Sequence, residues 1–518
     1  MSTKTNIMDA IKEENADSTL VNTENGALGY AFCRSSLVEF FYKVSSFRKA
    51  TAEEKAIAFR KALAEDADLG YRLLFFSRDA RQGLGERQLF KDIFKSLDEA
   101  HQIALVKLVP EYGRWDDAMG LILDKDVPEN TRKAIVDMIH AQFDKDLADC
   151  KAGKPISLLA KWMPSVRKVA KDKVRLAKFF VKEFGLQERD YRKALSVLRE
   201  HLKVVEKQMS AQQWHAIDYE ALPSKAAKNY REAFKKHDSV RYQEYLDKLA
   251  KGDAKVNAGT LYPYEIVTAY REGLYGRIKP LDKLLEAQWK SLPLPKGILG
   301  NAIVVRDGSG SMTTNVSGST TALDIATSLA VLMSEHLQGP FANRFITFSA
   351  SPKFIDLGGC DNLAQKLATT FGQDECSNTD VEATMDLILR AAVKNNLKQE
   401  EIPAVVIVSD MEFDDAVKRD GWYNDPEVIA KKDKVLFETI REKWNAAGYD
   451  LPKMVFWNVC NRSGAIPMQE NANGLLLVSG FSQNILDMLA GEGTMMDIIK
   501  QKLCTERYDP VTEALKGV

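Results

Sequence analysis

Asn301-Ala-Ile-Val-Val-Arg-Asp-Gly-Ser-Gly-Ser-Met312 is an apolar run that stops abruptly in a loop of one acid, two serines and two glycines. Ile303 to Val305 reads as a buried strand of a parallel sheet, with Asp307, Ser309 and Ser311 projecting from the loop at its C-terminal edge. Asp-x-Ser-x-Ser offers three hard oxygen donors at alternate positions, which suits a small, hard cation such as Mg²⁺ that keeps several waters and takes few protein ligands. Gly and Ser are common in any turn, so the spacing alone also fits an ordinary loop. Two later stretches add donors. Ser377-Asn-Thr-Asp380 opens a helix running through Met385 to Ala392, with Thr379 as a hydroxyl ligand and Asp380 placed for the helix start. Ala404-Val-Val-Ile-Val-Ser-Asp410 is a second buried strand that ends in an acid. Parallel strands share a C-terminal edge, so Asp410 and Thr379 can converge on the loop at Asp307 to Ser311.

Asp-x-Ser-x-Ser, then Thr, then Asp, in this order, resembles the metal-ion-dependent adhesion site of von Willebrand factor A domains, and the resemblance covers roughly residues 299 to 500. It implies that Asp307, Ser309, Ser311, Thr379 and Asp410 hold one divalent ion, Mg²⁺ or a relative, directly or through water. One coordination position would stay open to a partner's carboxylate. The competing reading is a Ser/Gly turn, an N-cap threonine and a strand-end aspartate that meet nothing. Glu412, Asp414 and Asp415 follow Asp410 and are expected as loop or helix-capping acids, since strand-end geometry aims only Asp410 at the site.

A chain of 518 residues exceeds one hydrophobic core and fits two or three domains. Apolar and charged contents are ordinary for a soluble folded protein. No run of 18 or more apolar residues occurs, and Met1 to Asn25 is polar and acidic rather than a signal peptide. A cytoplasmic location, with no membrane partner, is expected. Cys33, Cys150, Cys360, Cys376, Cys460 and Cys504 lie far apart without a Cys-x-x-Cys pair, which argues for reduced thiols over zinc sites or a disulfide framework.

Residues 1–26 read as a flexible leader. From Leu37 to about Trp289 the pattern changes to successive amphipathic helices, among them Glu53 to Asp66, Leu73 to Phe76 with its continuation, Gln88 to Leu97, Thr131 to Asp149 and Tyr191 to Met209. A succession of this length predicts a HEAT-like helical-repeat solenoid or ring, although no strict internal period is present. The expected fold is therefore α plus α/β: helical repeats over 27–295, a doubly wound Rossmann-like A domain over 296–505, and a tail over 506–518 that frays or docks on the helices. Further strands are expected at Met454 to Val459 and Leu475 to Val478. Helices are expected at Lys431 to Trp444, Ile485 to Leu489 and Met495 to Leu503.

Arg78-Asp-Ala-Arg-Gln-Gly-Leu-Gly-Glu-Arg87 and Val109-Pro-Glu-Tyr-Gly-Arg-Trp-Asp-Asp117 read alone as a charged glycine turn and a Pro/Gly-broken loop with an anchored Trp. Together they resemble the helical-repeat half of the Ro autoantigen (TROVE) family, whose members join a ring of helices to a C-terminal von Willebrand A domain and bind structured non-coding RNA. That likeness covers some 40 residues and carries no individual RNA contact. A closer likeness spans most of the chain. Ser157-Leu-Leu-Ala-Lys-Trp-Met-Pro-Ser165, Tyr191 to Arg199, Ala258 to Glu265, Ser409 to Asp414, Val455 to Asn458 and Ser479 to Ser482 resemble an uncharacterised family of the DUF2828 type, which brings no activity with it.

Net charge is −1 overall and says nothing for nucleic acid. Lys151 to Lys207, however, holds 16 Lys and Arg against six acids, an excess of about +10, so the rest of the chain carries about −11. Such segregation suits a phosphate-binding face, because neutralising phosphates releases counterions. The candidate RNA-binding residues are Lys161, Arg167, Lys168, Lys171, Arg175, Arg192 and Lys193, taken as a patch. Trp162, Tyr191, His201 and Trp214 lie among them and have the chemistry to stack on bases. Helical spacing equally fits core positions, above all for Trp162 beside Met163 and Pro164.

Catalysis is not expected. Asp307 and Asp410 are the only acids placed for it, and the chain has no Walker loop, no His-Glu-x-x-His and no Gly-x-Ser-x-Gly elbow. The expected function is a monomeric Ro-like scaffold for non-coding or misfolded RNA, with the metal site recruiting a protein partner. The alternative is a protein-only adaptor that grips a partner's acidic side chain through the metal.

Overall fold

The computed structural model describes residues 20–167, 170–273, 277–293, 301–348, 352–373, 380–413, 436–467, 474–491 and 493–518. Contacts divide the chain into two compact units. The first takes the chain up to Gly70 and then Leu261–Cys504; the second takes Tyr71–Thr260 and Thr505–Val518.

The first unit is built on a sheet. Strands β1 (Leu20–Asn22) and β2 (Leu28–Tyr30) pair as a small antiparallel hairpin. Next come β3 (Ala302–Asp307), the short pair β4 (Asn315–Ser317) and β5 (Thr320–Thr321), then β6 (Arg344–Phe348), β7 (Lys353–Asp356), β8 (Ala404–Ser409), β9 (Met454–Asn458) and β10 (Leu475–Ser479). Six of them form one mixed sheet in the order β10-β9-β8-β3-β6-β7, parallel except for the edge strand β7. β3, β8, β9 and β10 are apolar runs buried along nearly their whole length, as strands covered on both faces must be. Helix Ala322–His336 lies against β3, β6 and β8 and is buried almost all round, from Ala322 to Ser334. Its first turn is fixed by a reciprocal cap between Thr321 and Asp324. Arg271 clamps the same carboxylate with two bonds, Nε to Oδ1 at 2.6 Å and Nη2 to Oδ2 at 2.7 Å. From β3 the chain moves to β6 on one side, then returns past β3 to place β8 on the other. The carboxyl ends of β3 and β8 thus flank the switch point of the sheet, where open α/β sheets place their ligands.

Strands β3, β8, β9 and β10 and the helix Met495–Leu503 fall where the apolar runs put them, whereas β6 and β7 were not foreseen. Val381–Lys394 is a helix capped by the Asp380 carboxylate on the Ala383 amide at 2.8 Å. The helix expected from Lys431 is described from Leu436 to Ala446, and Gln483–Ala490 is a 3-10 helix. Three readings differ. The expected leader ends early, because its last residues form β1 and the turn into β2. The helical stretch 27–295 does not group as one piece: helix Ser36–Tyr42 packs on β10, and helix Pro263–Tyr270 on helix Ala322–His336. The helix expected over Tyr191 to Met209 is two, Glu188–His201 and Val205–Ser210, broken where Lys203 turns to a φ of 50°.

The second unit is helical, with Arg87–Ser96, Glu99–Leu105, Trp115–Ile122, Glu129–Lys151, Lys171–Glu183 and Glu188–His201 among its helices. The tail docks within it. Helix Asp509–Leu515 packs on helix Glu99–Leu105 with Tyr508 and Val511 buried.

Candidate functional site

β3 and β8 run side by side, Val305 opposite Ile407 and Arg306 opposite Val408, so their terminal acids leave the sheet together. Asp307 is fully buried. Its Oδ1 accepts the Ser309 amide at 2.9 Å and its Oδ2 the Ser409 hydroxyl at 2.6 Å. The Ser309 and Ser311 hydroxyls lie 2.9 Å apart, with the Ser311 hydroxyl near enough to the Asp410 carboxyl to favour its charged form. Asp410 is equally buried. Its Oδ1 accepts the Glu412 amide at 3.2 Å and its Oδ2 the Arg462 Nη1 at 2.9 Å. Between them Met411 takes a φ of 63°, a left-handed conformation that costs a side chain about 1 kcal/mol. Its amide is held by the Ser409 hydroxyl at 2.9 Å.

Burial pushes the Asp307 carboxyl above the ordinary range against the hydroxyl and amide bonds of Ser409 and Ser309. Burial and then the neighbouring Asp307 charge push Asp410 up to about 7, against Arg462 and Ser311. Two carboxylates out of water with a single guanidinium in contact make a pocket of excess negative charge. Each carboxylate oxygen can accept more than one hydrogen bond, so capacity remains on both acids.

Asp307, Ser309, Ser311 and Asp410 are therefore brought together at one sheet edge, while Thr379 lies outside the described residues. Two carboxylates and two hydroxyls fit a hard divalent ion such as Mg²⁺. Among the described residues no three His, Cys, Asp or Glu side chains converge, so hydroxyls and water would complete the shell. Ser409 and Arg462 were not foreseen. Ser409 was legible as the residue before the strand-end acid; Arg462 sits 52 residues from Asp410 in a loop with no local signal. Glu412 is a loop acid, one of the two roles expected: Oε1 accepts the Arg462 and Ser463 amides at 2.6 and 2.9 Å, and Oε2 the Glu24 amide at 2.8 Å. Asp414 and Asp415 lie outside the described residues.

In the helical unit, Lys171 and Arg175 are exposed on helix Lys171–Glu183, and Arg192 and Lys193 on helix Glu188–His201. Arg167 is exposed, and Lys161 is half-buried with its Nζ 5.7 Å from the Trp162 ring centre. Lys168 lies outside the described residues. Of the aromatics, Tyr191 is buried, its hydroxyl donating to the Pro164 carbonyl at 2.9 Å, so it is core. Trp162 is half-buried with Arg114 5.2 Å over its ring, and Trp214 stacks on His237 at 4.6 Å. His201 bonds the Lys154 carbonyl at 2.8 Å. Arg199 was not singled out, and it is structural. Its guanidinium donates to the Ala160 and Met163 carbonyls at 2.9 and 2.6 Å and to Ser165 Oγ at 3.2 Å.

The two glycine-containing stretches meet as a closed charge network. Arg78 pairs with Asp117, Arg87 with Asp116 at 2.7 Å and with Asp117, and Arg81 with Glu111 at 3.4 Å. Asp79, fully buried, accepts Arg507 Nε at 2.9 Å and the Tyr508 hydroxyl at 3.2 Å, which anchors the C-terminal helix. Gly113 is required at the junction, since a Cβ there would stand 2.6 Å from Asp117 Oδ2 and 3.0 Å from the Val109 carbonyl.

Residues 301–514 match a family described as a domain of unknown function (DUF7788), and residues 183–293 one described as a domain of unknown function (DUF2828). The likeness to the uncharacterised family read from the sequence is thus carried by the second of these segments. The chain is also similar to an uncharacterized protein of Acanthamoeba polyphaga mimivirus, 29% identical over 502 residues that cover 90% of this chain and 83% of that protein. Among the described residues no helix is long and apolar enough to cross a membrane.

Proposed function

We propose that this protein is an RNA-binding scaffold, Ro-like in plan, that holds structured or single-stranded non-coding RNA on the basic face of its helical unit. The observation that carries the reading is the contrast in charge pairing. Arg78, Arg81 and Arg87 each face an acid, whereas Lys171, Arg175, Arg192 and Lys193 stand exposed with no ion pair among the described residues. Unpaired cations gathered on one short stretch are what a phosphate backbone recruits. In this reading the helices form a HEAT-like curved or closed surface and the sheet unit is of the von Willebrand A type. The protein acts as a cytoplasmic monomer without turnover.

Asp307, Ser309, Ser311 and Asp410, with Thr379, would hold Mg²⁺ in the sheet unit. The ion, when bound, supplies a positive centre for a carboxylate. The excess negative charge of the Asp307–Asp410 pair favours this second role, and on its own it supports the protein-only adaptor.

Sequencing the RNA that stays with the natively isolated protein, beside a nuclease-treated control, separates the two. A discrete small RNA, lost on charge reversal at Lys168, Lys171 and Arg175, is the expected result. A nucleic-acid-free protein that binds no RNA at moderate salt would leave the adaptor reading.

A further inference from the structure

Helix Lys171–Glu183 carries its cations in a line. At 3.6 residues per turn, Lys171, Arg175, Lys178 and Lys182 fall within an arc of about 60°. All four are exposed and none has an ion pair or hydrogen bond among the described residues. The opposite side is the buried one, Leu176, Ala177 and Phe180, so the line points directly away from the core. The acids of this helix, Asp172 and Glu183, sit about 80–120° off the line and do not interrupt it. Along the axis the cations step by about 4.5 to 6 Å and span about 16 Å. Helix Glu188–His201, which packs against this one, adds further cations, more widely spread and with the exposed Glu200 among them. Arg189, Arg192 and Lys193 share one exposed side opposite the buried Tyr191, Leu195 and Leu198.

We infer that Lys171, Arg175, Lys178 and Lys182 form a phosphate track for a single extended RNA strand, with Lys178 and Lys182 as contacts beyond the patch already named. The inference rests on the RNA reading above and gives it a strand class. Cations stepping about 4.5 to 6 Å along a straight helix lay out a straight track, which a strand free to extend can follow and a strand wound into a duplex cannot. Proteins that read double-stranded RNA span two successive minor grooves and the major-groove phosphates between them, a footprint of about 16 base pairs that a row about 16 Å long does not cover. A charged line that follows the backbone is instead the common element of single-strand sites. Phe179, half-buried at about 80° from the line, puts an aromatic edge beside it.

The test is fluorescence anisotropy on the full chain at about 0.15 M salt, with a labelled oligouridine of about 12 nucleotides and an RNA duplex of the same length. The oligouridine is expected to bind about tenfold more tightly than the duplex. K178E/K182E should weaken it by at least about tenfold, and K178Q/K182Q should reduce the slope of log affinity against log salt by about 1.4. Both pairs are surface changes, and an unaltered melting profile keeps the comparison valid. Equal or tighter duplex binding would overturn the single-strand assignment while leaving RNA binding in place. Oligouridine binding that ignores both variants would overturn the track. Failure of both probes at low salt would remove the RNA reading itself, and this inference with it.

Discussion

The Arg78–Asp117 region and the Lys171–Lys193 face are both rich in arginine or lysine, and they use it in opposite ways. In the first, most guanidinium groups are answered by an acid within the chain, Arg78 and Arg87 by Asp117 and Asp116, Arg507 by Asp79 and Glu111, while Arg114 lies over the Trp162 ring. Burial of Arg507 lowers its proton affinity, but the bonds to Asp79 and Glu111 outweigh that and hold it charged. In the second, the charges point into solvent with no partner among the described residues. Composition cannot separate the two, because it counts charges and not where they are neutralised. A closed network holds helices together; an open row leaves its charge for something outside the chain. The Asp307–Asp410 pair is the acidic counterpart of the open row, two buried carboxylates of which Asp410 alone bonds the Arg462 guanidinium among the described residues.

If the first region is closed, breaking it should damage folding most. Arg78→Ala strips a nearly buried partner from Asp117, and loss of about 3 kcal/mol is expected, read from the urea midpoint of the helical unit. A cost under about 0.5 kcal/mol would show that the network is only a surface feature. If the acid pair is open to a cation, Mg²⁺ at about 100 times its dissociation constant should stabilise the protein by about 2.7 kcal/mol. Asp307→Asn should abolish that rise in melting temperature, and a Mg²⁺-insensitive wild type would break the parallel. For the open row the expectation reverses. K171E/R175E should leave stability within about 0.5 kcal/mol and weaken RNA binding about tenfold near physiological salt, as measured by filter binding.

The smallest effect concerns acid. Burial pushes the Asp124 carboxyl up, but its bonds from Lys95 and Lys91 and from the Asp126 amide outweigh this and hold it below the ordinary range. A carboxyl depressed on folding stabilises fully above its unfolded value and loses that contribution as pH falls through the folded one. Stability of the helical unit should therefore decline below about pH 4, and Asp124→Asn should remove about 0.5 kcal/mol of that decline, read from urea midpoints across the pH series.

What the sequence carried openly was local. Ala302–Asp307 and Ala404–Ser409 are unbroken apolar runs that end in acids, so both the strands and the meeting of Asp307 with Asp410 could be read before any coordinates. The β1–β2 hairpin was hidden because Leu20–Tyr30 is mixed in polarity and is held largely by distant groups. The Glu24 amide reaches Glu412, and Thr23 Oγ1 donates to the Phe413 carbonyl at 2.6 Å. The anchoring of the tail was equally hidden, since Asp79 and Arg507 are 428 residues apart and no periodicity links them. The break at Lys203 was invisible for another reason: a lysine with positive φ breaks the helix where no Gly or Pro marks the turn.

The account turns on whether the open row is where RNA lies. The direct measurement is ultraviolet crosslinking of the RNA bound to the native full chain, with crosslinked peptides mapped by mass spectrometry. Crosslinks concentrated on peptides from residues 161 to 193, and lost in K171E/R175E, are the predicted result. Crosslinks confined to the paired Arg78–Asp117 region or to the sheet unit, or none at all, would contradict it.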